Sequence, residues 1–238
     1  HLSCTCTVVY DPGNSRKQDV HSKRWYEDEQ KAIEARKKTG LQPVEIAERE
    51  RLQFRYSNNV PLNALDAPGF IEKFDQITDN PEVNKAIYNA ATEILKHRTG
   101  TNYEDLWLID AEDGTLIHAL TTCNIDNTVK YDAVTLESID AAHAKGRTII
   151  AVHNHPGGLP PTLDDGSSAN MHGYDLGVVV GNNLEVYTYI RADRAYSNEE
   201  CKIVHDIMNS ELTTDIDFDE HTWYNTLSLF GMGIERMR

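Results

Sequence analysis

The middle of the chain, from about residue 70 to residue 192, alternates amphipathic stretches with short runs of β-branched and aliphatic residues. Residues 81–98 begin with a proline, are followed by Gly100, and repeat apolar positions at helical spacing. Proline in the first turn and glycine beyond the end are typical of an α-helix. The pattern therefore predicts a helix over residues 81–98, with an apolar face formed by Val83, Ile87, Ala91 and Ile94.

Five apolar runs are too short for helices and predict β-strands. They cover residues 106–109, 115–121, 148–152, 176–180 and 184–190. Turn residues at 112–114 and 181–183 join the first two and the last two runs, which predicts two hairpins. Residues 133–145 and 165–172 have helical patterns. We therefore expect an α/β or α+β fold in which helices flank a mixed sheet.

The flanks of this region are more strongly charged. Residues 1–21 are interpreted as a lead-in or linker, and residues 22–69 as an N-terminal extension with helices at 22–38 and 43–56. Residues 193–238 are predicted to form a C-terminal helical extension. The predicted organisation is one core domain, residues 70–192, with helices attached to both ends. Because the chain begins at His1, we expect it to be a fragment or a processed piece of a longer protein.

The charge balance limits the classes of partner that the chain is expected to bind. The formal net charge is −15, whereas phosphate binding draws on clustered Lys and Arg, so we expect no nucleic-acid partner and instead a protein or peptide. The sequence contains neither an apolar stretch of membrane-spanning length nor an opening signal peptide, so we expect no membrane contact and a cytoplasmic location. Four cysteines, including the Cys4-x-Cys6 pair, are too few for a disulfide framework and indicate thiols in a reducing compartment. The oligomeric state stays open.

The chemistry is concentrated in the sequence HNHPGG at residues 153–158, directly after the apolar run 148–152. Alternate side chains of a strand point to the same face, so His153 and His155 should share one face while Asn154 points away. Pro156 cannot donate to a β-ladder, and it should end the strand. The two imidazoles are thereby predicted to converge at one end of a strand.

The loop that follows supplies a carboxylate, either Asp164 or Asp165. Two imidazole nitrogens and one carboxylate oxygen hold a metal ion from three sides and leave a fourth tetrahedral position for water, which is typical of catalytic zinc. The hydrolysis of a peptide bond also needs a base that is not itself a ligand. Glu104 is the first candidate because it directly precedes a predicted strand, and Glu112 and Glu137 are the alternatives. The Thr162 hydroxyl is predicted to donate to a developing oxyanion, or only to shape the loop.

At these residues the chain resembles the JAMM/MPN (JAB-domain) zinc metallopeptidases, most closely their bacterial RadC-like branch. The family pattern is an upstream Glu, His-x-His, seven residues, Ser, two residues and Asp. The resemblance covers about residues 75–192 and implies a JAB/MPN-like fold with cytidine-deaminase-like layering. It also implies that Zn²⁺ is held by His153, His155 and Asp165, that Thr162 replaces the serine, and that Glu104 is the acid.

The chain departs from the family pattern at two places. Six residues rather than seven follow His155, and one deletion in the loop brings both Thr162 and Asp165 into place, which favours Asp165 over Asp164. The glycines usually found after the glutamate are replaced by Asp105, Leu106 and Trp107. The opening residues HLSCTCTVVYDP are similar to the end of Mu-type phage head-morphogenesis proteins, which implies a prophage-encoded or fused protein.

Three functions follow from these observations. The leading hypothesis is a zinc metallopeptidase that cleaves a peptide or isopeptide bond. The second is a catalytically inactive JAMM-like scaffold that binds a partner protein. The third is a metal-dependent nuclease or a zinc deaminase; a nuclease would need a basic groove, and a deaminase would need His-x-Glu with a later Pro-Cys-x-x-Cys, which the sequence lacks.

Overall fold

A computed structural model describes residues 58–211 and 220–238 of the chain. The predictions made for the lead-in 1–21, for helices at 22–38 and 43–56, and for the Cys4-x-Cys6 pair lie outside these described residues. The described part therefore tests the predicted core and the predicted C-terminal extension.

Six α-helices and six strands are present in the described part of the chain. The helices are α1 (Pro68–Ile71), α2 (Pro81–Arg98), α3 (Ala133–Ala144), α4 (Leu163–His172), α5 (Asn198–Glu211) and α6 (Glu220–Ser228). The strands are β1 (Leu106–Asp110), β2 (Leu116–Leu120), β3 (Ile149–His155), β4 (Leu176–Gly181), β5 (Val186–Tyr189) and β6 (Ile234–Arg236). Short 3-10 turns at Leu62–Ala64 and Glu72–Phe74 flank α1.

The strands form one mixed sheet in the order β2-β1-β3-β4-β5-β6. β3 and β4 run parallel, and the other neighbouring pairs are antiparallel. The predicted mixed sheet flanked by helices is confirmed. β3 lies inside the sheet between β1 and β4, so the histidine motif is placed at the centre of the fold rather than at an edge.

Helix α2 forms where its sequence signals place it. The Asn80 side chain accepts a hydrogen bond from the backbone N–H of Glu82, Pro81 occupies the first turn, and Gly100 beyond the end has a φ of +77°. All four residues of the predicted apolar face are fully buried: Val83, Ile87, Ala91 and Ile94. They pack with Ile150 and Val152 of β3, so α2 covers one face of the sheet.

The other face of the sheet packs against helices α3 to α6, and Ile149 and Ala151 of β3 belong to this second core. Side chains therefore alternate along β3 as the sequence predicted. The side chains of His153 and His155 lie on the same face of β3 as Ala151, the face covered by α4. The side chain of Asn154 lies on the face of Val152, which α2 covers. The strand extends three residues beyond the predicted end at 152 and stops directly before Pro156.

The prediction that residues 193–238 are wholly helical is wrong for Ile234–Arg236, which form β6 and pair with β5. Helix α6 is also built into the core, because Trp223 and Leu227 are buried in the second core. The three residues of β6 are half-buried or exposed, and so short a strand shows no recognisable alternation of apolar and polar positions in the sequence. The chain after residue 192 therefore completes the sheet instead of only attaching to it.

Candidate metal centre

The two histidines and Asp165 come together at the end of β3. The Nε2 atoms of His153 and His155 lie 3.2 Å apart. Oδ1 of Asp165 lies 3.1 Å from His153 Nε2, and its Oδ2 lies 3.4 Å from His155 Nε2. Among the described residues, these three form the one group of His, Cys, Asp or Glu side chains that could hold a metal ion.

The spacing of these donor atoms fits a tetrahedral zinc site. With zinc–ligand bonds of about 2.0–2.1 Å, two ligands at the tetrahedral angle lie about 3.3 Å from each other. His153 Nε2 lies 3.2 Å from His155 Nε2 and 3.1 Å from Asp165 Oδ1, and both separations are close to that value. The donor set of two imidazoles and one carboxylate also leaves a fourth position, as catalytic zinc sites do.

Backbone contacts select the ring nitrogen with which His155 faces the cluster. Its Nδ1 lies 2.9 Å from the carbonyl oxygen of Leu159, which can only accept a hydrogen bond. In the neutral ring Nδ1 therefore carries the proton, and Nε2 has its lone pair available for a ligand. The loop between His155 and α4 thus orients one of the metal-facing histidines.

Thr162 holds the carboxylate of Asp165 in place. The backbone N–H of Thr162 donates to Asp165 Oδ2 at 2.7 Å, and the Thr162 hydroxyl donates to the same oxygen at 2.8 Å. Thr162 precedes α4 as its N-cap, and Asp165 is the third residue of the helix, as in a capping box. Because the hydroxyl has a single proton, Thr162 serves here to fix Asp165, while its predicted oxyanion role stays a prediction.

The structure distinguishes the two candidate carboxylates. Asp164 is exposed and its side chain is hydrogen-bonded to Cys201 of α5, away from the imidazoles. Asp165 alone of the pair contacts His153 and His155. The choice of Asp165 over Asp164 in the sequence analysis agrees with this geometry.

Glu104 lies just before β1 and lines the same cavity as the two histidines and Asp165. Its side chain is buried, and burial raises its pKa to about 8, with His155 opposing and Asp165 adding to the shift. The alternative acids do not reach the cavity: Glu112 is exposed after β1, and Glu137 is exposed on α3. Glu104 is therefore the acid that the fold brings to the cluster.

The cluster is strongly coupled electrostatically. Burial alone would lower the pKa of His155, but the negative charges of Asp165 and Glu104 outweigh it and raise the pKa to about 9. Burial alone would raise the pKa of Asp165, but His155 and His153 hold it well below its usual range. Perturbed groups gathered in one cleft are typical of functional sites.

The cavity in front of the cluster has a volume of about 600 Å³. Four tyrosines from different elements line it: Tyr131, Tyr174, Tyr189 and Tyr196. The Tyr174 hydroxyl donates to the Tyr131 hydroxyl at 3.1 Å, and the Tyr131 ring stacks on His172 with centroids 4.3 Å apart. Helix α5 adds Lys202 and His205 to the rim. Sequence analysis missed these residues because only tertiary packing brings them together.

The loop between His155 and α4 depends on contacts from distant segments. Trp223 of α6 donates through Nε1 to the carbonyl oxygen of Pro161 at 2.8 Å. Gly158 has a φ of +67°, and a Cβ there would lie 2.5 Å from the Asn183 side chain. The chain after β4 and the C-terminal helix therefore fix the loop that presents Asp165.

No protein-family model matches this chain, and no curated protein sequence matches it. The resemblance to the JAMM/MPN family therefore rests on the residues of the site alone. None of the helices formed by residues 58–211 and 220–238 is long and apolar enough to cross a membrane.

Proposed function

We propose that this protein is a zinc-dependent hydrolase of the JAMM/MPN type, RadC-like branch, that cleaves a peptide or isopeptide bond. The observation that carries the proposal is the meeting of His153, His155 and Asp165 at tetrahedral spacing beside the buried acid Glu104. A cluster that only stabilised the fold would not need an additional carboxyl group with a pKa near 8 in the same cavity.

The ligand roles follow from the contacts already described. His153 and His155 would bind zinc through Nε2, and Asp165 through the oxygen that Thr162 leaves free. When bound, zinc lowers the pKa of a coordinated water and polarises a carbonyl oxygen. The Leu159 carbonyl and the Thr162 hydroxyl hold two of the three ligands from outside, which is the usual way in which a protein orients a metal site.

Glu104 would move the protons. Its carboxylate takes a proton from the attacking water, and the resulting carboxylic acid gives that proton to the leaving amine. A single group does both most efficiently when its pKa lies near the working pH, and burial brings the pKa of Glu104 to about 8. Thr162 acts in this scheme as a positioning residue for Asp165.

The cavity supports a peptide rather than a nucleic-acid substrate. Its walls combine the four tyrosine rings and aliphatic side chains such as Leu159 with many polar groups, and this mixture suits the side chains and the backbone of a peptide. The acidic net charge of −15 opposes a phosphate backbone. We propose a protein or peptide as the partner. The similarity at residues 1–12 is the sole support for the further proposal of a phage or prophage origin.

A peptide library derived from a proteome, with cleavages read by mass spectrometry, tests this function. The zinc-loaded parent should cleave a subset of peptides, and a Glu104→Gln variant should lose at least about a hundredfold in rate, as expected for a general base. Glu112→Gln, which removes an exposed acid, is the matched control and should retain the parent's rate. Zinc-loaded parent protein that cleaves no library peptide and no lysine-linked isopeptide would favour the inactive scaffold instead.

A further inference from the structure

Asn154, the residue between the two histidines, is completely buried at 0 % exposure and points to the opposite face of β3. Its amide spans the gap between β3 and the segment that precedes β1. Asn154 Nδ2 donates to the carbonyl oxygen of Tyr103 at 3.2 Å, and Asn154 Oδ1 accepts from the backbone N–H of Asp105 at 2.9 Å. The two peptide groups that it binds lie on either side of Glu104.

The β1–β3 ladder does not include this segment, in which only Tyr103 forms an isolated bridge, with Asp126. Pairing between β1 and β3 begins with Leu106 opposite His153, and residues 103–105 lie before it. A side-chain amide carries one acceptor and two donors, so it can bond to a carbonyl and to an N–H in the way that a neighbouring strand would. The Asn154 amide thereby extends the contact between the strands as far as Glu104.

The side chain of Asp105 anchors the same segment to α2. Arg98 Nε donates to Asp105 Oδ1 at 2.5 Å, and His97 Nδ1 lies 2.7 Å from Oδ2. Arg98 is itself buried and donates to the carbonyl oxygen of Cys123 at 3.0 Å. Asp105 therefore faces α2, and the alternation of side chains turns its neighbour Glu104 toward the cavity, where Leu106 also lies.

We propose that Asn154 is a positioning residue that holds the backbone on both sides of Glu104 and so aims the Glu104 carboxyl at the His153–His155–Asp165 cluster. The inference rests on the proposed hydrolase function. It assigns a task to each residue of the HNH sequence: the outer two are ligands, and the middle one fixes the base. The position of the base relative to the two histidine ligands is then set by β3 alone.

Two leucine variants test the proposal with a matched control. Asn154→Leu keeps the branching and the number of side-chain heavy atoms but removes both hydrogen bonds. Asn84→Leu removes an equally buried amide that binds Asp75 and Thr78 at the start of α2, outside the cavity. Both variants should lower Tm. Only Asn154→Leu should lower kcat on the fastest-cleaved library peptide, by about a hundredfold. Its KM should stay within about threefold of the parent's, and it should bind the same number of zinc ions as the parent.

Hydrogen exchange gives a second readout that does not need activity. The Asp105 amide should exchange at least about tenfold faster in Asn154→Leu than in the parent, and at the parent's rate in Asn84→Leu. If the leucine variant does not fold, Asn154→Ala removes the same bonds without a clash, and the same results are expected.

The outcomes separate this proposal from the proposed function. A folded, zinc-loaded Asn154 variant with kcat within threefold of the parent would overturn the positioning role, as would an equal loss in Asn84→Leu. If the parent cleaves nothing, the hydrolase proposal fails. Hydrogen exchange at the Asp105 amide then tests the structural role of Asn154 by itself. Unchanged exchange at Asp105 would then overturn the role of Asn154 as the clamp of this segment.

Discussion

Thr162 places both of its hydrogen-bond donors on one oxygen of Asp165, the backbone N–H at 2.7 Å and the hydroxyl at 2.8 Å. The other oxygen of Asp165 is left 3.1 Å from His153 Nε2. A single side chain thus joins the N-terminus of α4 to the imidazoles of β3. The strength of metal binding should therefore depend on a residue that is not itself a ligand.

Thr162→Val tests this dependence. Valine has the same shape but no hydroxyl, so one of the two bonds to Asp165 is lost, and zinc affinity should fall about 10- to 100-fold, as for other residues that orient a ligand. The control is Thr135→Val, because the Thr135 hydroxyl donates in the same way to Asp132 at the start of α3, at 2.7 Å. Both variants should lose about 1 kcal/mol of folding free energy. Equal zinc affinities in the two variants, measured by competition with a chelator, would contradict the orienting role.

The raised pKa of His155 predicts that zinc binding strengthens with pH. The ring must lose a proton before Nε2 can bind the ion, and its pKa is about 9 in the metal-free protein. Between pH 6.5 and 8.5 the apparent affinity should rise by up to about tenfold per unit, with about one proton released for each ion bound. Calorimetry in buffers of different ionisation enthalpy counts that proton. An affinity that falls or stays level over this range would show that His155 is already neutral.

The same shift predicts how the stability of the metal-free protein varies with pH. The folded state raises the pKa of His155 from 6.5 to about 9, so it binds this proton more tightly than the unfolded chain does. The resulting stabilisation is fully present below pH 6.5 and is lost as pH rises toward 9. Urea unfolding of the metal-free protein should show this decline, and His155→Ala should reduce it between pH 6.5 and 9. Glu104, whose pKa burial raises from 4.5 to about 8, adds a decline of the same sign up to pH 8 that the variant keeps. An increase in the stability of the parent over that pH interval would contradict this prediction.

Gly158 and Gly146 form a pair that separates backbone strain from a local clash. Both have positive φ, +67° and +71°, but a Cβ at Gly146 meets nothing within 4 Å, whereas one at Gly158 would lie 2.5 Å from the Asn183 side chain. Gly146→Ala should therefore cost about 1–2 kcal/mol from its backbone alone. Gly158→Ala should cost at least about 1 kcal/mol more, because the Asn183 hydrogen bonds must be given up, and it should also weaken zinc binding. Chemical unfolding and zinc titration of both variants measure this difference.

Much of this fold could be predicted because its signals are local. The spacing of Val83 and Ile87, the cap at Asn80 and the turn after β1 lie within a few residues of the elements that they define. The strand period of two placed His153 and His155 on one face without knowledge of any neighbour. Helix α2, the β1–β2 hairpin and the pairing of the two imidazoles all follow from such short-range rules.

The remaining features depend on contacts between distant segments. Strand β6 is three residues long and exists because β5 offers it an edge. The tyrosines and the α5 side chains that line the cavity do not recur at a regular spacing along the sequence. The contacts of Asn154 with Tyr103 and Asp105 can be recognised only once the fold has brought these residues together. Sequence could nominate Glu104 but not show its burial, which sets its pKa. These features follow from tertiary packing, which no local pattern encodes.

The proposed function depends on the binding of one zinc ion by His153, His155 and Asp165. Calorimetric titration of zinc into chelator-treated protein tests it directly, with Asp165→Asn compared against Asp164→Asn, since the two acids are adjacent and only Asp165 contacts the imidazoles. The parent and Asp164→Asn should each bind one equivalent tightly, and Asp165→Asn should bind at least about a hundredfold more weakly, because it loses a charged ligand. A parent that binds no zinc, or two variants that bind it equally well, would show that these three residues do not form a zinc site.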